Sequence, residues 1–310
     1  MPTTADHPLA LIGTCFMDIK GYAGAHYDPI GRNPGSIEYY NGGVAGNVAL
    51  NCAGIGTRIS FISMTDIGPQ GDAMMAKLQS RGVNTALVQR TESGGTGIWL
   101  AILDENGELA GSISQQPDFS LLEKHLRTFP ENFLKDYRAL LLEIDLTEAL
   151  AEQAFSAAEK ADIPVYVIVG NLTVVLARPD FLSRAACFIC NEIEAGKIFG
   201  CSLINKTPEE VLSVLKVQAE LFQISSMVIT MGDAGAVYYD RKTGECGLQK
   251  AVPVEVADTT GAGDAFFSAC ACALSRGLSL QQACRFGALL SSRVISSREN
   301  IAPVLPDFFP

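Results

Sequence analysis

The stretch Asp258-Thr259-Thr260-Gly261-Ala262-Gly263-Asp264-Ala265-Phe266-Phe267 carries the residue types in this chain best suited to chemistry. Its glycines allow a tight turn and let a ligand approach the backbone with no side chain in the way. Ala265 to Leu274 is small and apolar at helical spacing, which predicts a buried helix opening at that turn. A helix start presents free N–H groups and the positive end of the helix dipole, so the turn predicts an anion site suited to phosphate. Asp264 is the odd member, because a bound phosphate repels a carboxylate. Two readings are open for it: a first-turn partner of the helix dipole, or a general base that takes a proton from a hydroxyl attacking a phosphoryl group. Ala251 to Val256, alternating and rich in valine, predicts a strand leading into the turn.

A second glycine-rich stretch is Asn41-Gly42-Gly43-Val44-Ala45-Gly46-Asn47-Val48-Ala49-Leu50-Asn51. Gly42 and Gly43 let a ligand lie against the backbone where a helix begins, and Asn47 offers both a donor and an acceptor to a sugar hydroxyl. The alternative is a tightly packed turn and helix start. Asp18 follows the short apolar strand Leu9 to Thr14 directly. The C-terminal end of a strand is where open α/β folds bind ligands, although a turn or cap aspartate looks the same in sequence.

The elements that must position these residues follow from periodicity. Predicted strands are Arg58–Thr65, Ala139–Ile144, Pro164–Val169, Phe188–Cys190 and Met227–Met231. Predicted helices are Gly71–Arg81, Thr147–Ala161, Glu192–Phe199, Pro208–Phe222 and Gln281–Ser297. Such alternation implies an α/β fold with a mostly parallel central sheet flanked by helices. Gly97–Leu103 and Glu108–Ser114 interrupt it as a hairpin turned by Asp104-Glu105-Asn106-Gly107. Gly21 to Tyr40 reads as a loop with short strands, and the interruption predicts a separate small β-sheet.

The chain has 310 residues, 48% of them hydrophobic, enough to bury a large α/β core. A net charge of -11 argues against nucleic acid and against an anionic membrane surface as partners. No signal-peptide pattern opens the sequence, and no apolar run reaches the roughly 18 residues of a membrane span. The nine cysteines are scattered through apolar segments, which suits a reducing cytoplasm. Cys187 and Cys190 fall inside an apolar run and read as core rather than metal or redox chemistry. His7, His26 and His125 stand apart from any nucleophile motif and receive no role. There is no G-x-x-x-x-G-K-[ST] and no dinucleotide fingerprint, which excludes the corresponding kinase and oxidoreductase classes.

The Asp258–Phe266 run resembles the D-T-x-G-A-G-D-x-F signature of the ribokinase-like sugar and nucleoside kinases, the PfkB family. Gly42-Gly43 through Asn47 resembles that family's G-G-x-x-x-N-x-A substrate signature, roughly 200 residues earlier and in the expected order. The resemblance spans about residues 9–304. It implies one ribokinase-like domain over residues 1–310 with a lid formed by about 14–41 and 93–116, a frequent homodimer contact in the family. It implies an ATP-dependent enzyme that phosphorylates a primary hydroxyl of a sugar or nucleoside.

By the same resemblance Asp264 is the base, and Gly261, Ala262 and Gly263 form the anion turn. Asp18, Gly42, Gly43 and Asn47 hold the substrate. Glu143 and Asp145 end a strand on the ligand edge, where one contacts substrate or both are loop carboxylates. Asn191-Glu192-Ile193-Glu194 resembles the N-x-x-E motif that places Mg²⁺ and phosphates, with Glu194 acting through water; the pair also reads as an N-cap and its capping-box glutamate. Thr230, Gly232 and Gly235 resemble the T-x-G-x-x-G turn near ATP. Asp258 and Thr260, with carbonyls near Ser297 to Ala302, resemble the K⁺ site of some relatives, although Arg298-Glu299-Asn300-Ile301-Ala302 departs from their usual Gly-Ala.

Asn33-Pro34-Gly35-Ser36-Ile37 with Gly42-Gly43-Val44 is similar to pseudouridine kinases, but Gly46 stands where they carry an arginine. Val44 stands where ribokinases carry a lysine. Ile168-Val169-Gly170-Asn171 lacks the aspartate many relatives place after that strand. A ribokinase- or fructokinase-type enzyme, or a binding protein that kept the fold without catalysis, are the alternatives.

Overall fold

The computed structural model describes residues 7–144 and 146–309. In chain order the elements begin with β1 (Leu9–Ile12), β2 (Phe16–Ala23), β3 (Gly35–Gly42), α1 (Val44–Gly54), β4 (Ile59–Asp66), α2 (Pro69–Ser80) and β5 (Val88–Thr91). The hairpin strands β6 (Gly97–Leu103) and β7 (Leu109–Gln115) follow, then α3 (Phe119–Arg127), β8 (Ala139–Glu143), α4 (Glu148–Ala161) and β9 (Val165–Ile168). Next come α5 (Thr173–Ala177), α6 (Phe181–Arg184), β10 (Cys187–Asn191), α7 (Glu192–Phe199), α8 (Pro208–Leu221), β11 (Ser226–Thr230), β12 (Ala236–Asp240) and β13 (Cys246–Gln249). The last helices are α9 (Ala262–Ser275) and α10 (Leu280–Ile295).

Nine strands form one sheet in the order β13-β12-β11-β10-β9-β8-β1-β4-β5. It is parallel from β11 to β5, and only β12 and β13 run antiparallel at one edge. Parallel strands covered on both faces read as unbroken apolar runs, and β1 shows why. Leu9 and Leu11 pack with α1, α9 and α10, while Ala10 and Ile12 pack with α4 and α8 on the other face. Cys187 and Cys190 are buried in β10 on opposite faces of this sheet, so they cannot share a metal.

The second sheet has four strands in the order β3-β2-β6-β7. It is mixed: β2 pairs antiparallel with β3 and parallel with β6, and β6 with β7 makes the Asn106-Gly107 hairpin, Gly107 having φ 80°. Alternation gives the sheet two characters. One face carries Asp18, Lys20, Tyr40 and Trp99; the other carries Ile19, Ile37, Tyr39, Leu100 and Ile113.

Two expectations fail. Ala251 to Val256 forms no strand. Pro253 has no N–H to give a ladder, and the valines of this segment line a cavity instead of pairing beyond β13. Asp18 does not stand at the end of β1. That strand stops at Ile12, Gly13 to Cys15 carry the chain out of the main sheet, and Asp18 is the third residue of β2. No helix among the described residues is long and apolar enough to cross a membrane.

Candidate active site

The C-terminal ends of the central strands, the start of α9 and the polar face of the small sheet converge on one cleft. Gly261 caps α9 in the left-handed region, with φ 79°, and no side chain caps that helix. The Ala262 N–H donates to the Thr259 carbonyl at 3.2 Å, whereas the Gly263 and Asp264 N–H groups have no acceptor among the described residues. The anion turn expected from sequence is therefore a pair of free donors, with Ala262 already engaged. A Cβ built on Gly263 meets nothing within 4 Å, so open space lies in front of these donors.

Asp264 sits in the first turn of α9 and keeps part of its surface open to the cleft. Asn47, one turn into α1, donates from Nδ2 to Asp264 Oδ2 at 2.8 Å. The Asn47 Oδ1 is buried without a hydrogen-bond partner, an acceptor waiting for a donor. Gly43 begins α1 with φ 88°, and Gly42 ends β3 so close to Asp18 that a Cβ there would lie 2.3 Å from Asp18 Oδ2. Glu143 is buried and accepts from the Thr14 N–H at 2.8 Å and the Thr14 hydroxyl at 3.0 Å. Asp145 lies outside the described residues.

Electrostatics set these carboxyls apart. Burial pushes Asp264 up to about 7; the Asn47 hydrogen bond opposes this, and the Glu143 and Asp18 charges add to it. Burial raises Glu143 to about 7 against the Thr14 hydrogen bonds. Asp18 rises to about 6 by burial, with Lys20 opposing. Three acidic groups close together and partly withdrawn from water hold protons more tightly than usual, so Asp264 is a stronger proton acceptor than an ordinary aspartate and still ionises near neutrality.

Beside the turn lies a cavity of about 500 Å³. Thr230, Gly232 and Gly235 form one wall, Val252, Val254 and Ile295 an apolar one, and Ala262 and Gly263 the end nearest Asp264. Its walls are largely apolar, and the free N–H pair lies at its Ala262–Gly263 end. Asn191 lies in register with Thr230 on the neighbouring strand. It caps α7 in a full capping box: Asn191 Oδ1 accepts from the Glu194 N–H at 2.9 Å, and Glu194 Oε2 from the Asn191 N–H at 2.8 Å. Burial raises Glu194 above the usual carboxylate range, and its second oxygen meets no hydrogen-bond donor among the described residues. Asp258 Oδ1 accepts from both the N–H and the hydroxyl of Thr260 at 2.8 Å, so that pair first of all shapes the turn. Among the described residues no cluster of three metal-binding side chains occurs.

A model of the pfkB family of carbohydrate kinases matches residues 6–307. The chain belongs to that family. A guanosine-inosine kinase of Exiguobacterium acetylicum is 35% identical over 292 residues, 94% of this chain and 95% of that one. The pseudouridine kinase of Escherichia coli strain K12 is 24% identical over 299 residues, 96% of this chain and 93% of that one. Among solved structures, ribokinase of Arabidopsis thaliana complexed with ribose and ATP superposes with a TM-score of 0.80 at 20% identity, covering 97% of this chain and 96% of that one. The chain is thus a pfkB-family kinase with the ribokinase fold. Kinases of this family use ATP, and a metal ion is expected with it.

In this pfkB-family kinase the sequence motifs fall on the cleft: Asp18, Gly42, Gly43, Asn47 and Asp264 at one end, Thr230, Gly232, Gly235 and Gly263 along the cavity. Two residues escaped the motif reading. Glu143 stood as one of two strand-end carboxylates, and only its bonds to Thr14 single it out. Lys20 carried no signal beyond standing two residues after Asp18 in what proves to be a strand.

Proposed function

We propose that this protein transfers the γ-phosphoryl group of ATP to the primary 5′-hydroxyl of a purine nucleoside, guanosine or inosine. The observation that carries the chemistry is the Asn47–Asp264 hydrogen bond of 2.8 Å beside the two free N–H groups of α9. The base class is supported by the 35% identity to the guanosine-inosine kinase. Asp18 and Asn47 Oδ1 hold ribose hydroxyls against Gly42 and Gly43. Asp264 takes the proton of the attacking hydroxyl, and the Gly263 and Asp264 N–H groups stabilise charge growing on the phosphoryl oxygens. The nucleotide lies along Thr230 to Gly235. Glu194 and Asn191 would hold a magnesium ion, which would offset phosphate charge. The lid shuts water out of the reaction.

Pseudouridine is the second reading, favoured by Asn33-Pro34-Gly35-Ser36-Ile37. Against it stands Gly46, where a built Cβ meets nothing within 4 Å and an arginine's place is vacant. Turnover measured with Mg-ATP and guanosine, inosine, adenosine, pseudouridine, uridine or ribose decides. Guanosine or inosine is expected to give a kcat/KM at least tenfold above the rest. A preference for pseudouridine or ribose would displace the purine assignment, and silence everywhere despite ATP binding would favour a binding protein.

We also infer that the protein forms a homodimer through the small sheet. Its outer face exposes Ile37, Tyr39 and Ile113, each more than 60% accessible, over half-buried Ile19 and Leu100. Sheet faces of this character seek cover. Sedimentation should give twice the 33.0 kDa of one chain, falling to one chain in Ile113→Lys; a wild-type monomer at micromolar concentration ends the inference.

A further inference from the structure

Lys20 is nine-tenths buried, with 9% of its surface accessible. Lysine is almost never buried to that degree unless paired. Yet no ion pair among the described residues includes Lys20, Asp18, Asp258 or Asp264. Among the described residues the ammonium rests on the Tyr40 ring alone, 5.1 Å from its centroid. Its cross-strand neighbour Glu38 is occupied by the Tyr40 hydroxyl, which donates to Glu38 Oε2. On the other side it faces Ala101, too small to contact the ammonium. Lys20 stands two residues after Asp18 on β2 and so points from the same face of the sheet. Its charge is felt in two directions: it opposes the burial-driven rise of Asp18 at the substrate end, and it adds to the Thr260 hydrogen bonds that lower Asp258 in the turn before α9. A buried cation with no anion in contact is costly. Lys20 stands on the strand at the substrate end, and its charge is felt as far as the turn before α9.

On the kinase reading given above, we propose that Lys20 is a catalytic residue: its ammonium crosses from the lid to the γ-phosphoryl group and holds it during transfer. The nucleoside oxygen forms the new O–P bond as the bond to ADP breaks. Asp264 receives the hydroxyl proton, and Lys20 acts as a point charge on the phosphoryl oxygens. The free N–H pair of α9 meets those oxygens from the core side. Lys20 meets them from the lid, so the electrostatic complement is complete only with the lid shut.

Lys20→Met keeps the apolar stem and removes the charge; Lys20→Arg keeps the charge. Calorimetry with ADP and with the non-hydrolysable ATP analogue AMP-PNP gives a readout independent of turnover. The wild type should bind AMP-PNP several-fold more tightly than ADP, and Lys20→Met should lose that preference while binding ADP normally. With the best nucleoside, Lys20→Met should lower kcat roughly 10²-fold, the scale of one charge-stabilising donor, with the nucleoside KM within twofold of wild type. Lys20→Arg should recover most of the loss. An unchanged AMP-PNP preference, or a raised nucleoside KM at unchanged kcat, would overturn the proposal, the second by placing Lys20 on the nucleoside. A wild-type protein that binds neither nucleotide removes the kinase reading itself and the proposal with it.

Discussion

Asp264→Asn is expected to lose 10²- to 10⁴-fold in kcat, the usual worth of a general base, while binding Mg-ATP as before (about 10²–10⁴). The amide preserves shape and can still meet Asn47, so the loss reports proton transfer rather than collapse. The pH dependence has a definite sign. Asp264 must be ionised to accept a proton, and burial raises it to about 7, so wild-type kcat/KM should rise with pH through about 7 and flatten above. Stability runs the other way. A carboxyl raised in the folded state binds more protons folded than unfolded, so stability falls as pH climbs from the ordinary aspartate value of about 3.9 to about 7. Asp264→Asn is released from this penalty and should melt higher than wild type at pH 8, a gain in stability at the expense of function. Circular dichroism melts beside steady-state rates across pH 5.5 to 9 check both. A variant that keeps most of its turnover would remove Asp264 as the base.

Gly261→Ala is expected to damage the fold and the rate together. Gly261 has φ 79°, where an L side chain costs roughly 1–2 kcal/mol, and the new Cβ would lie 2.1 Å from the Asn300 carbonyl oxygen. The C-terminal loop and the α9 cap would have to part, displacing the Gly263 and Asp264 N–H groups. A fall in kcat of about 10²-fold or more, the scale of one lost oxyanion-type donor, should accompany a lower melting temperature. Gly263→Ala separates the two effects. Its Cβ meets no protein atom within 4 Å, so it should melt like the wild type yet bind ATP poorly, because the methyl occupies the space in front of the donors. Equal ATP affinity in Gly263→Ala and wild type would show that phosphates do not sit there.

How much of this was legible in the sequence depended on the range of the force involved. The parallel core was legible because β1, β8 and β10 are apolar on both faces. α7 was found to the residue because its capping box is local, set by Asn191 and Glu194 three positions apart. The Asn106-Gly107 turn was legible for the same reason. The edge strands β12 and β13 are short, β12 buried at Ala236 to Tyr238 and β13 half-buried throughout, and neither carries a clear period. Ala251 to Val256 misled because valines suited to a strand serve here as a cavity wall, with Pro253 breaking any ladder. At the site, the glycine motifs declared Gly42, Gly43, Asn47, Gly261 and Asp264. What no motif could declare was long-range: the joining of Asn47 to Asp264 across 217 positions and the anchoring of Glu143 by Thr14, 129 positions away.

Phosphoryl transfer to a nucleoside hydroxyl is tested most directly by ³¹P NMR of the wild-type protein with Mg-ATP and guanosine. A nucleoside 5′-monophosphate resonance should grow in step with ADP and be absent when Asp264→Asn replaces the wild type. ADP accompanied only by inorganic phosphate, or bound ATP that stays intact with guanosine, inosine and pseudouridine alike, would contradict it.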